Sequence, residues 1–111
     1  MKNIFIAMIL LFCGHISFAQ TNPATTLANK IAQKMKDTLD LSDIQKSQIY
    51  NLNLQLHDEK MSMRQQFAGS PVLREKIQTV ENKRDSLYMS VLTEPQFSLY
   101  RQKKRMLVNN H

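Results

Sequence analysis

The chain is predicted to be all-α, with four helices that include a long bent helical hairpin. Helix formers (Leu, Lys, Gln, Met, Arg and Glu) dominate from Leu27 onward. Glycine is nearly absent, Gly69 being the only one after Gly14. No stretch shows the alternation of apolar and polar residues that a half-buried strand requires.

The chain opens on a segment set apart from this fold. Lys2 supplies a positive start, Ile4 to Phe12 an apolar run, and Ser17 and Ala19 small residues at the sites a signal peptidase reads. Residues 1–19 are therefore expected to be a signal peptide cleaved after Ala19, which exports the protein to the periplasm. The apolar run is too short for a permanent anchor. Cys13 sits where a lipidated cysteine would, but the bulky Phe12 before it disfavours that processing. Removal of residues 1–19 takes away the only cysteine, so neither disulfide nor thiol chemistry is expected. The remaining 92 residues make one domain with a modest core and carry 14 basic and 9 acidic side chains, a net charge of +5. Export and the lack of a recognition motif argue against nucleic acid, leaving acidic lipid surfaces or polypeptides as partners for the basic charge.

Each helix has its own punctuation. Residues 20–26, with Pro23, are expected to be a flexible lead-in to a domain over 27–111. Thr25 or Thr26 would cap a first helix with its stripe at Leu27, Ile31, Met35 and Leu39. In Leu41-Ser42-Asp43-Ile44-Gln45, Ser42 and Gln45 form a capping box, and the second helix should run to about Phe67. Its core seam is Gln45, Ile49, Leu52, Leu56, Met63 and Phe67. Gly69 suits a left-handed stop, Ser70 a cap and Pro71 the first position of the third helix. That helix carries Leu73, Ile77, Val80, Leu87 and Val91 on one face, with Tyr88 at the margin. Arg84 in the middle of the face suggests that it opens to solvent there, the arginine snorkelling or pairing with an acid. In Leu92-Thr93-Glu94-Pro95-Gln96 the box returns, with Thr93 and Gln96 as its partners, Leu92 and Phe97 as a hydrophobic staple, and Glu94 as a rival cap because of Pro95. Phe97, Tyr100 and Leu107 form the inner face of the fourth helix.

The two phrases, Leu41-Ser42-x-x-Gln45 and Leu92-Thr93-x-x-Gln96, resemble the paired LTxxQ motifs of the Spy/CpxP-like family of periplasmic proteins. The first has Ser in place of Thr, and the second reads Thr-Glu-Pro where Thr-Pro-Glu is common. The resemblance covers essentially the whole mature chain. It implies a cradle-shaped antiparallel homodimer that acts as an ATP-independent chaperone, or as a sensor protein damping an envelope-stress kinase. A further branch of the family binds zinc.

The second helix has more apolar surface than one core face needs. Tyr50, Leu54 and Met61 lie well round from its seam, with Lys46, His57 and Arg64 beside them. A basic surface sprinkled with adaptable apolar side chains suits the capture of unfolded polypeptides. A dimer interface satisfies the same stripe, and a curved dimer could use one helix for both. The run Arg101 to Arg105 is a solvated helix C-terminus, or a rim that attracts acidic clients or anionic lipid.

Catalytic chemistry finds no support. The mature chain has only His57 and His111 as histidines, and its acids are scattered over helix exteriors. His57, Met61 and Met63 are a soft set within two helical turns, but without a second histidine or a cysteine no metal site is expected, nor any cofactor. Three functions follow in order. The first is a periplasmic holdase for unfolded or misfolded envelope polypeptides. The second is a regulatory protein docking on a sensor-kinase periplasmic domain, and the third a periplasmic metal-binding protein.

Overall fold

The computed structural model describes residues 22–109, and the signal-peptide and Cys13 expectations lie outside them. The described residues are all-helical: α1 (Pro23–Leu39), α2 (Asp43–Gln66), α3 (Leu73–Met89), α4 (Glu94–Lys104) and a closing π-turn (Arg105–Asn109). None of these helices is long and apolar enough to cross a membrane.

Helix α1 begins four residues earlier than the stripe suggested. Asn22 is its cap, accepting from the Ala24 N–H at 2.9 Å, and Pro23 fills the first position, where no N–H is needed. Thr25 and Thr26 donate their hydroxyls back to the Asn22 carbonyl instead of capping. The expected lead-in is therefore helical from Pro23. The helix ends at Asp40, held left-handed at φ 57°, a conformation that short polar side chains tolerate.

Both capping boxes form. Ser42 Oγ accepts from the Gln45 N–H at 3.1 Å, and Thr93 Oγ1 from the Gln96 N–H at 3.4 Å. Thr93 is thus the cap, Glu94 is the first helical residue, and Pro95 is accommodated in the first turn. At the α2–α3 turn Gly69 takes φ 76°, as the sequence predicts. The expected Ser70 cap does not form. Ser70 Oγ accepts from the Val72 N–H in a turn closed by the Leu73 N–H on the Ser70 carbonyl, and α3 starts at Leu73 without a side-chain cap.

The core sits at one end of the described helices. There Ile31, Met35 and Leu39 of α1 meet Ile49 of α2, Tyr88 of α3 and Tyr100 of α4. Tyr88 and Tyr100 pack edge to face with centroids 5.1 Å apart, a favoured aromatic geometry. The π-turn brings the neighbours Leu107 and Val108 into the same core. The far half of the α2–α3 hairpin projects away as a two-helix arm. No residue from His57 to Thr79 is buried, and the apolar seam of Met63, Phe67, Leu73 and Ile77 is only half covered.

The predicted stripe of α1 is buried apart from half-buried Leu27. The α3 face is turned by about one position from the expectation. Its buried line is Val80, Arg84 and Tyr88, spaced four residues apart, while Leu73, Ile77, Leu87 and Val91 flank it half-buried. Tyr88 is central, not marginal, and the face does not open at Arg84, which is 6 % exposed.

Candidate functional site

The two motif corners meet. Gln45 and Gln96 each turn their amide oxygen to the N–H of their own cap, both at 3.0 Å. Their amide nitrogens cross over. Gln45 Nε2 donates to Gln96 Oε1 at 2.7 Å and to the Val91 carbonyl at 3.1 Å, while Gln96 Nε2 reaches the Leu39 carbonyl at 3.4 Å. Leu41 and Leu92, the first residues of the two phrases, are buried beside this clasp. The motif therefore ties α1–α2 to α3–α4 as well as starting two helices, and its role here is architectural.

The six α2 residues expected to hold clients do not share one environment. Lys46 donates to Gln33 Oε1 of α1 at 2.7 Å, and Tyr50 packs against the core cluster. Both line a shallow, open depression beside Thr25 and Asn29 of α1. Leu54 and His57 are half-buried. Met61 and Arg64 are exposed and touch each other, with Arg64 Nη1 3.7 Å from Met61 Sδ. The outward-facing part of the set is thus Met61 and Arg64, with Leu54 and His57 at its flank.

A polar seam that the sequence signalled only through Arg84 fills the middle of the α2–α3 hairpin. Arg84 donates to Glu81 through Nε (2.7 Å) and Nη2 (3.2 Å), and through Nη1 to Tyr88 Oη (2.7 Å) and Asn53 Oδ1 (3.2 Å). Tyr88 also donates to Asn53, whose Nδ2 donates to the Ala28 carbonyl of α1 at 3.1 Å. Lys60 donates to Glu81 Oε2, which also accepts from Arg84 Nη2, and Lys83 pairs with Glu59 at 2.6 Å. Three helices are therefore joined through buried groups that all have partners, the condition under which a buried charge is tolerated. Asn53 went unread as a core position, although it stands four residues after Ile49 and three before Leu56.

The electrostatics follow from this packing. Burial alone would raise the Glu81 carboxyl, but hydrogen bonds from Arg84 and Lys60 outweigh it and hold the group below the usual carboxylate range. Burial works against the Arg84 charge, and Tyr88 and Glu81 more than offset it, so the guanidinium stays charged. Burial pushes the Tyr88 phenol up to about 12, although Arg84 pulls the other way. The Tyr100 phenol is also raised, by burial and by its hydrogen bond to Asp85 at 2.9 Å.

Between α1, the arm and the C-terminal turn lies a cleft of about 440 Å³. Leu27, Ile31, Ile77 and Val108 supply apolar walls, and His57, Lys60, Arg64, Glu81 and Arg84 line the rest. Among the described residues no three His, Cys, Asp or Glu side chains gather as a metal would need. No family model, curated protein or solved structure matches the chain.

Proposed function

We propose that the protein is an exported, ATP-independent holdase of the Spy/CpxP-like kind, which works as a homodimer on unfolded or misfolded envelope polypeptides. The observation that carries this reading is the two-helix arm. Over residues 57–79 the chain buries nothing fully, yet it presents Met63, Phe67, Leu73 and Ile77 along one seam, with Met61 and Arg64 exposed nearby. An isolated helical hairpin of this length gains little from its own packing, so a second copy is its natural cover. The mixed basic and methionine-bearing surface left outside then serves clients: charge speeds capture, and flexible side chains hold varied sequences.

A second reading has its own support. Arg101, Lys103 and Arg105 are exposed on α4 and the turn after it, a concentrated basic patch that suits an acidic docking surface such as a sensor-kinase periplasmic domain. The test is aggregation of denatured, diluted clients, followed by light scattering without ATP, with residues 20–111 added at rising ratios. Suppression near one dimer per client supports the holdase. No suppression across several unrelated clients removes it in favour of docking.

A further inference from the structure

The cleft between α1 and the arm combines two features seldom found together on a small helical surface. One wall is apolar, from Leu27 of α1 and Val108 of the C-terminal turn, with Ile77 of α3 across from them. The other features are cationic: Lys60 and Arg64 stand one helical turn apart on α2, and Arg84 faces them from α3. Among the described residues Glu81 is the only acid in the lining, set against the three cations Lys60, Arg64 and Arg84. Glu81 is already engaged by Lys60 and Arg84.

The hydrogen-bonding capacity of these cations is not used up. Bonds among the described residues use four of the five N–H groups of Arg84. Among the described residues Arg64 makes only the long contact to Met61 Sδ, a weak acceptor. A guanidinium so placed offers a fork that matches a carboxylate. The space, about 440 Å³, falls within the range of small-molecule sites, about 300–1,000 Å³, and is small for a length of polypeptide.

We propose that this cleft binds a single-chain anionic amphiphile, a fatty-acid-like carboxylate whose head lies at Lys60, Arg64 and Arg84 and whose chain runs along Leu27, Ile77 and Val108. The site shares Arg64, and at its edge His57, with the surface assigned to clients, while its apolar wall of Leu27, Ile77 and Val108 lies apart from that surface.

The test is calorimetric titration of residues 20–111 with laurate below its micelle-forming concentration, beside dodecanol as the uncharged control. Laurate is expected to bind saturably at one per chain, at least tenfold tighter than dodecanol, and more weakly as salt rises. Arg64→Gln, at an exposed position whose one contact among the described residues is the long one to Met61 Sδ, should weaken laurate about tenfold and leave the melting temperature unchanged. Absence of saturation, equal affinity for dodecanol, or an unaffected Arg64→Gln variant would overturn the proposal. So would an acidic octapeptide that competes with laurate at lower concentration than laurate itself requires, since that assigns the cleft to polypeptide.

Discussion

Gln45 and Gln96, 51 residues apart, each cap their own helix with one amide atom and reach across to the other's corner with the second. This explains why the same five-residue phrase occurs twice in so short a chain. Each copy starts a helix, and the pair locks two corners together. Gln45→Ala or Gln96→Ala should each cost about 1–2 kcal/mol, from the lost cap and from carbonyls left without a donor. In the double variant the costs should fall short of additive by about 0.5 kcal/mol or more, as for contacting residues. Urea unfolding of the four proteins in the cycle measures this. Strict additivity would mean that the two corners act independently.

Arg84 provides a harsher test. It is 6 % exposed and bonded to three side chains on two helices. Arg84→Met should destabilise the fold by about 3 kcal/mol, because Glu81 loses its main partner inside the seam. Adding Glu81→Gln and Asn53→Leu should recover part of the loss by removing the stranded polar groups. If Arg84→Met alone melts like the parent, the seam is open to water in solution.

What the sequence made legible was set by local chemistry. Capping boxes and the Gly69 stop depend on neighbouring residues, and both were readable from the chain alone. The four-residue stripe of α1 was readable for the same reason. The face of α3 was misplaced by about one position because apolar periodicity gives polar groups no weight: Arg84 was read as a point open to solvent and Tyr88 as marginal, whereas both lie on the buried line. Asn53 was missed for the same reason, and only pairing with Arg84 and Tyr88 makes its burial tolerable. The helix start at Pro23 was hidden because Asn22 is as good a cap as the threonines that follow it. The cleft draws on four separate segments, so no spacing in the sequence could announce it.

The proposed client surface can be separated from the core by comparing positions on α2. Tyr50→Ser should destabilise by about 2 kcal/mol, because the ring packs against the core cluster, and any loss of client protection would follow from unfolding. Leu54→Ser with Met61→Ser should instead leave thermal stability within a few degrees of the parent and weaken suppression of client aggregation severalfold. Light scattering beside circular-dichroism melting distinguishes the two. Undiminished suppression by the Leu54/Met61 variant would remove this stretch of α2 from the client surface.

The seam also fixes how stability should change with pH. Glu81 and Glu59 have folded-state pKa values below the ordinary 4.5, Glu81 through Arg84 and Lys60 against its burial, Glu59 chiefly through Lys83. A group depressed on folding contributes fully above its unfolded value and loses that contribution as pH falls through its folded value. Stability should therefore hold down to the ordinary glutamate range and decline below it. Glu81→Gln should lower the neutral plateau and flatten the acid decline. On the alkaline side the sign reverses, because Tyr88 is raised from 10.0 to about 12 and Tyr100 is raised as well. The folded state there favours the neutral phenol, so the contribution is present below the ordinary tyrosine range and disappears as pH climbs toward the folded value. Urea midpoints across the pH range test both limbs, and Tyr88→Phe should soften the alkaline limb. An acid decline of the same slope in Glu81→Gln would show that other carboxylates, not the seam, govern acid stability.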